Sequence, residues 1–228
     1  MKLYIYCAGG FGREVTDTAR RINRSSKRWD EICFIDDDAR MDREFYGTRL
    51  CDFESVLRDS DLSRVEVSIA TGEPAVRRSI YEKLRSHNIK LANIIDDTAI
   101  VCDTATIGEG TIVTAFCSIT SSAAVGKNVA INTKAIVGHD VRLGDHCVLS
   151  SLVNIGGASS VGENSYVGMG AQVREGIAIG RDVIIGMGSV VFSDIPDGVI
   201  ALGNPARPMR ENVEKRVFMK SRNHQTSA

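Results

Sequence analysis

The sequence predicts an α/β domain followed by a parallel β-helix, and two observations carry this prediction. Aliphatic residues recur at every sixth position from Val101 to Val191, whereas residues 1–95 alternate apolar strand-like runs with helical ones. A chain of 228 residues is long enough for two modest domains, each with its own core. We place a Rossmann-like domain at residues 1–95, the β-helix at 96–210 and a charged C-terminal tail at 211–228.

The six-residue repeat is the stronger of the two signals. Every sixth position from Val101 to Val191 holds Val, Ile or Leu without a break. A period of six fits neither an α-helix nor an alternating strand, and it indicates a short strand followed by a corner. The residue two positions before each aliphatic is small or Val, except for Ile177. Gly, Asn, Asp or His often follow the aliphatic by three positions, as Gly110 and Asn128 do. Such residues accept positive φ, so each repeat is expected to end in a tight turn, with three repeats per coil.

The first 95 residues carry a different pattern. Apolar runs LYIYCA, EICFID and VEVSIAT alternate with the helical stretches REVTDTARRI and GEPAVRRSIYEKLRSH, which indicates a small parallel sheet. The turn AGGFG after the first strand is an incomplete phosphate-binding motif, and Asp36 ends the second strand, where it could hold a ribose hydroxyl. Too little chain is present for the second half of a dinucleotide fold, so hydride transfer is not expected.

Composition excludes several other classes of protein. The chain has 28 Lys and Arg against 29 Asp and Glu, without a basic block, so neither nucleic acid nor a membrane is expected as a partner. None of the six cysteines lies in a C-x-x-C pair, and no His/Cys cluster has zinc spacing, so we expect reduced thiols, no metal and a cytoplasmic location. The tail, ENVEKRVFMKSRNHQTSA, is expected to be a short helix or a disordered end.

Five stretches of sequence together resemble one known family. They are YIYCAGGFGREV, FIDDD, IATGEPAVRRSIYEKL, INTKAIVGHDVRLGD and GNPAR. The chain resembles the hexapeptide-repeat sugar acyltransferases, the group of nucleotide-aminosugar N-acetyltransferases and sialic acid O-acetyltransferases. The resemblance implies a left-handed β-helix, a homotrimer, acetyl-CoA as the donor and a bacterial glycan-precursor sugar as the acceptor.

The resemblance also implies the roles of individual residues. The family's catalytic base corresponds to His139, and the acidic residue that orients it corresponds to Asp140. Coenzyme contacts correspond to Met169 and Met187, whereas Val148 stands where some members have a coenzyme-contacting histidine. The contacts with the nucleotide sugar correspond to Gly9, Gly10, Phe11, Asp36, Asp37 and Gly72.

The repeat itself places these residues on the edges of a prism. His139 occupies an outward corner position, so from the repeat alone a merely solvated side chain is an equal alternative. Asp140 lies in the turn column, where Asp is also favoured for its backbone conformation, and His146 in the same column is interpreted as structural. Met169 and Met187 stack on a second outward edge and require a cover, either a ligand or a neighbouring subunit.

We therefore predict an acetyltransferase of bacterial surface-glycan (O-antigen or lipopolysaccharide) biosynthesis. It would move the acetyl group from acetyl-CoA to the 4-amino group of a nucleotide-linked 4-amino-4,6-dideoxysugar, with His139 as the general base. One alternative is O-acetylation of sialic acid or another sugar hydroxyl. A second alternative is a non-catalytic β-helix that binds sugar or assembles with partners.

Overall fold

A computed structural model describes residues 1–37, 43–59 and 61–218. Its first part is a six-stranded sheet in the order β3-β4-β2-β1-β5-β6. The pairs are parallel except for the hairpin of β3 with β4. The strands are β1 (Lys2–Tyr6), β2 (Glu31–Ile35), β3 (Arg43–Phe45), β4 (Thr48–Cys51), β5 (Val65–Ile69) and β6 (Lys90–Leu91).

Helices cover both faces of this sheet. They are α1 (Gly10–Ser26), α2 (Phe53–Asp59) and α3 (Pro74–Ser86), with a 3₁₀ turn at Leu62–Arg64. Alternate residues of β1 face opposite layers: Leu3 packs with Val15 of α1, whereas Tyr4 packs with Leu84 of α3. The sequence pattern predicted α1 and α3 but not α2 or the β3–β4 hairpin, because these elements are short and lack a distinctive pattern.

The second part is the predicted β-helix, built from two-residue strands. Its strands are β7 (Ile94–Ile95), β8 (Ile100–Val101), β9 (Thr106–Ile107), β10 (Ile112–Val113), β11 (Ser118–Ile119), β12 (Ala124–Val125), β13 (Ala130–Ile131), β14 (Ile136–Val137), β15 (Arg142–Leu143), β16 (Val148–Leu149), β17 (Asn154–Ile155), β18 (Ser160–Val161), β19 (Tyr166–Val167), β20 (Gln172–Val173), β21 (Ala178–Ile179), β22 (Ile184–Ile185) and β23 (Val190–Val191). Strands β7 to β20 each pair in parallel with the strand one coil later, as Ile131 does with Leu149. The predicted fold class is therefore confirmed.

The interior of the β-helix explains the repeat. The aliphatic residues form one buried cluster with the small residues that precede them, Cys117 and Cys147 among them. Most corners carry a residue with positive φ, such as Asn128 at 51° and Asp140 at 59°. A closing antiparallel hairpin, β24 (Val199–Gly203) with β25 (Ala206–Glu211), adds to the sheet that starts at β7.

The two parts share a core. Ile94 and Ile112 of the β-helix belong to the same buried cluster as Leu3 and Val15, so α1 is sandwiched between the sheet and the β-helix. Across residues 1–37, 43–59 and 61–218, every helix is too short or too polar to traverse a bilayer.

The described part of the C-terminal tail differs from its prediction. Beyond β25, the described part of the tail, residues 212–218, contains turns and bends but no helix. It is neither a helix nor an unattached end, because it returns to the α/β part and hydrogen-bonds to Glu73. The rest of the predicted tail lies outside the described residues, as does Asp38 of the acidic run.

Candidate active site

His139 and Asp140 form a pair on one corner of the β-helix, between β14 and β15. The Nδ1 atom of His139 lies 2.9 Å from Oδ2 of Asp140. Both side chains face solvent, with 68% and 61% of their surfaces exposed. Asp140 adopts φ 59°, so it makes the turn and contacts the imidazole at the same time. If Nδ1–H donates to the carboxylate, Nε2 is left as a proton acceptor.

A glycine one coil later makes room for this imidazole. A Cβ added to Gly157 would collide with Nε2 of His139 and lie 2.6 Å from its Cε1. The ring therefore occupies the space beside Gly157 that a side chain would fill. The main chain of the two coils is joined by the Ala158 N–H, which donates to the His139 carbonyl at 2.7 Å. Any larger residue at 157 would displace the ring.

The two methionines lie on a different corner. Met169 follows β19 and Met187 follows β22, one coil apart, and they are 48% and 74% exposed. Phe116 and Leu152 protrude from the adjacent turn position of the same edge, at 62% and 53% exposure. Within one chain, this apolar edge and the corner that carries His139 are two different corners of the three-sided β-helix. They do not form one pocket.

The glycine turn after β1 leaves open space at the start of α1. No atom lies within 4 Å of the position that a Cβ on Gly9 would take, and a Cβ on Gly10 would meet only the guanidinium of Arg13 at 4.0 Å. Gly12 is different, because a Cβ there would collide with the carbonyl oxygen of Cys7. Gly12 thus allows α1 to approach β1 closely, while Gly9 and Gly10 leave open space at the start of the helix, where no side chain caps the amides.

Asp36 and Asp37 lie at the same edge of the sheet but have partners of their own. Asp36 accepts a hydrogen bond from the Ala8 amide at 2.9 Å, so it also stabilises the glycine turn. Asp37 accepts from the Tyr6 hydroxyl at 2.7 Å and from Lys83 Nζ at 3.1 Å. Burial and this bond to Asp37 raise the pKa of Tyr6 above its ordinary value. Tyr6 and Lys83 were not among the predicted site residues, because no sequence motif marks them.

Gly72 follows β5 at the neighbouring strand end, in a loop held by Arg77. Arg77 is fully buried, and its Nη1 donates to the carbonyls of Ile69 and Thr71 at 2.6 and 2.9 Å. Its Nε and Nη2 donate to the carbonyl and side-chain oxygens of Asn128 at 3.0 and 2.8 Å. Burial lowers the pKa of Arg77 to about 9, which leaves it charged at neutral pH. This side chain joins the loop of Gly72 to the β-helix.

Strands β1 and β5 are neighbours in the sheet. After β1 the chain continues to β2 on one side of this pair, and after β5 it continues to β6 on the other side. The carboxyl ends of such a strand pair are where open α/β sheets bind ligands. The structure thus gathers Gly9, Gly10, Phe11, Asp36, Asp37 and Gly72 along one edge of the sheet. His139 and Asp140 lie on the β-helix, between β14 and β15.

His146 and Val148 are buried on the β-helix, and His146 contacts the α/β part. His146 is 7% exposed, its Nδ1 lies 3.0 Å from Asn128 Nδ2, and its ring contacts Tyr81 at 5.0 Å. Burial lowers the pKa of His146, which favours the neutral ring and agrees with a structural role. Val148 is fully buried on β16.

Within the described ranges, no group of three or more His, Cys, Asp or Glu side chains is arranged to hold a metal ion. A cavity of about 430 Å³ lies among Met1, Lys2, Asp30 and Arg64. These residues lie at the amino ends of the strands, opposite the edge that carries the candidate residues. Asp30 forms ion pairs there with Arg64 and with the N-terminal amine.

Two family models match the chain. Residues 2–84 match the model described as the PglD N-terminal domain. Residues 158–193 match the model described as bacterial transferase hexapeptide (six repeats).

Solved structures match nearly the whole chain. PerB from Caulobacter crescentus, in complex with CoA and GDP-perosamine, is 31% identical with a TM-score of 0.82, over 92% of this chain and 98% of that one. A mutant of perosamine N-acetyltransferase from the same organism, also in complex with CoA and GDP-perosamine, is 30% identical with a TM-score of 0.85, over 92% and 98%. The acetyltransferase domain of PglB from Neisseria gonorrhoeae FA1090, in complex with acetyl coenzyme A, is 31% identical with a TM-score of 0.84, over 91% and 98%. WeeI from Acinetobacter baumannii AYE is 26% identical with a TM-score of 0.85, over 92% and 100%.

Proposed function

The chain belongs to the family of hexapeptide-repeat sugar acyltransferases, and we propose that it is an acetyl-CoA-dependent N-acetyltransferase acting on a nucleotide-linked aminosugar. The observation that carries the proposal is the match, over 92% of the chain, with perosamine N-acetyltransferase bound to CoA and GDP-perosamine. These matches favour neither O-acetylation nor a non-catalytic role.

The catalytic step is proposed as direct acetyl transfer with His139 as the base. The acceptor amine attacks the thioester carbonyl, a C–N bond forms, and the C–S bond breaks as the CoA thiolate leaves. Nε2 of His139 takes the proton that the attacking nitrogen loses, and this proton then passes to the thiolate or to solvent. Support for this role comes from the exposed corner position, the contact of Nδ1 with Asp140 and the clearance over Gly157.

Asp140 is proposed as the group that orients this base. Its carboxylate holds Nδ1–H, fixes the tautomer with a free Nε2 and stabilises the imidazolium that forms during transfer. Its positive φ adds a second role, since the turn that presents His139 requires a residue tolerant of that conformation.

The nucleotide is proposed to bind at the carboxyl edge of the α/β sheet. The open amides at the start of α1, near Gly9, Gly10 and Phe11, would receive the diphosphate. Asp36 and Asp37 would accept hydrogen bonds from the ribose or the base, and Gly72 would let the ligand approach the backbone after β5. We propose a 4-amino-4,6-dideoxysugar as the sugar of this acceptor.

The active unit is proposed to be a cytoplasmic homotrimer. Met169 and Met187 leave an apolar edge exposed, and a neighbouring subunit that covers it would bring its own His139 corner against that edge. The thioester of acetyl-CoA would then lie between one subunit's methionines and the next subunit's base. Light scattering coupled to gel filtration tests this assembly, and a monomeric active enzyme would contradict it.

A donor-and-acceptor screen by mass spectrometry tests the proposed reaction. The panel pairs acetyl-CoA with UDP-, GDP- and dTDP-linked 4-aminosugars and with free sialic acid. We expect a mass gain of one acetyl group on one nucleotide-linked amine. Acetylation of sialic acid in preference to every nucleotide-linked amine would overturn the proposal.

A further inference from the structure

The described part of the C-terminal tail, residues 212–218, forms a strap across the β-helix. At its start, the Asn212 amide donates to the Gly198 carbonyl and its Nδ2 donates to the Asp182 carbonyl, both at 2.8 Å. Lys215 then pairs with the Asp182 carboxylate at 3.0 Å. These contacts lead the strap from β25 toward the α/β part of the molecule.

The strap ends on Glu73, directly beside the candidate residue Gly72. The amides of Val217 and Phe218 donate to the Glu73 carboxylate at 2.9 and 3.1 Å. Glu73 is only 9% exposed, and its side chain does not cap α3, which begins at the next residue. Without the strap, this largely buried carboxylate would lose the two backbone donors that satisfy it.

Phe218 extends over the loop after β5. Its ring lies 3.4 Å from the position that a Cβ on Gly72 would take, which is ordinary van der Waals contact with this loop. An edge-to-face contact joins it to Tyr166, with centroids 5.8 Å apart and planes at 83°. Tyr166 is paired in register with Val148 on the β-helix, and its hydroxyl bonds to Ser150 at 2.9 Å. The ring thus lies between the loop after β5 and the β-helix, and 55% of Phe218 stays exposed.

We propose that the strap is part of the acceptor site and that Phe218 contacts the nucleotide of the nucleotide-linked amine. This inference rests on the proposed function for the identity of the ligand. The position favours the nucleotide because Phe218 touches Gly72 at the end of β5, where an open α/β sheet binds nucleotides. An aromatic ring with free surface offers a base a stacking contact that does not depend on hydrogen bonds.

The hydrogen bonds to Glu73 come from the backbone, which makes a clean test possible. Phe218→Ala removes the ring but keeps the two amides, so the strap can stay in place. Phe192→Ala is the matched control, because Phe192 is another exposed phenylalanine, at 45%, that follows β23 on the β-helix. Glu73 itself is left intact, since its removal would release the whole strap.

Isothermal titration of the wild type and both variants with UDP, GDP, dTDP and CoA tests the proposal. We expect one nucleoside diphosphate to bind the wild type and the Phe192 variant equally, and the Phe218 variant roughly tenfold more weakly, the size of one aromatic contact. CoA should bind all three proteins equally. Equal nucleotide affinity in the Phe218 variant, or no nucleotide binding by the wild type, would overturn the inference.

The acetylation screen separates this inference from the proposed function. A protein that binds the nucleotide through Phe218 but acetylates no amine would retain the strap site and lose the proposed function. A protein that acetylates a nucleotide-linked amine, with Phe218→Ala at wild-type affinity, would retain the function and lose the strap site.

Discussion

The imidazole of His139 lies over Gly157, so close that a Cβ on this glycine would collide with Nε2. Gly157 does not adopt a positive φ, so alanine fits its backbone, and the collision involves only a side chain that can rotate away. We therefore predict that Gly157→Ala lowers the acetylation rate at least about tenfold, because the base is displaced from its position. Steady-state kinetics checks the rate, and an unchanged melting temperature confirms that the fold is kept.

Gly138 provides the contrast to Gly157. A Cβ on Gly138 would lie 2.7 Å from the backbone nitrogen of Gly157, which cannot rotate away. Gly138→Ala should therefore lose stability as well as activity. A Gly157→Ala enzyme with wild-type turnover would show that the position of the imidazole over this glycine has no role in the reaction.

Asp140→Asn separates the two roles of Asp140. Asparagine also accepts the φ of 59°, so the turn should be kept, but it cannot supply the negative charge that holds Nδ1–H and stabilises the imidazolium. We expect the rate to fall roughly 10- to 100-fold, with acetyl-CoA binding unchanged. A pH–rate profile checks this, and a variant that matches the wild type at every pH would reduce Asp140 to a turn residue.

Arg77→Met should destabilise the protein at the junction of its two parts. The substitution leaves the carbonyls of Ile69 and Thr71 and the oxygens of Asn128 without their donor, and we expect a loss of about 3 kcal/mol in the free energy of unfolding. Urea unfolding measures the loss. Arg78→Met is the control, because the exposed pair of Arg78 with Glu82 contributes little, and equal losses in both variants would contradict the assignment.

Because of the buried carboxylate of Glu66, the free energy of unfolding should depend on pH in the acid range. Burial alone would raise the pKa of Glu66, but hydrogen bonds outweigh it and lower the pKa to about 2; their donors are Lys90, Arg28 and Trp29. This lowered pKa stabilises the fold fully above pH 4.5, and the contribution is lost as the pH falls from 4.5 toward 2.

Glu66→Gln should therefore lower the melting temperature at pH 7 by about 5 °C, since charged hydrogen bonds are lost. The difference from the wild type should shrink as the pH falls below 4.5. Calorimetry over this range checks both expectations, with Glu82→Gln, an exposed carboxylate, as the control. A gap that stays constant down to pH 2 would show that the charge of Glu66 is not the cause.

The fold was predictable because its signal is local. A six-residue period reports a strand and a corner within each repeat, and the Asp140 position follows from the turn that each repeat needs. The contacts that the sequence did not reveal join distant residues: Arg77 meets Asn128 across 51 positions, and Val217 meets Glu73 across 144. No sequence motif predicts such contacts. An arginine within a helix, or a carboxylate just before a helix, is usually an ordinary surface residue.

The turnover of His139→Ala is the decisive measurement for the proposed mechanism. It is measured with acetyl-CoA and the amine found in the screen, against the wild type and His87→Ala, an exposed histidine at the end of α3. Loss of one general base typically costs about 10²- to 10⁴-fold in rate. We predict a loss of this size for His139→Ala and none for His87→Ala. His139→Ala should keep the oligomeric state and the melting temperature of the wild type. A folded His139→Ala protein with wild-type turnover would contradict this mechanism.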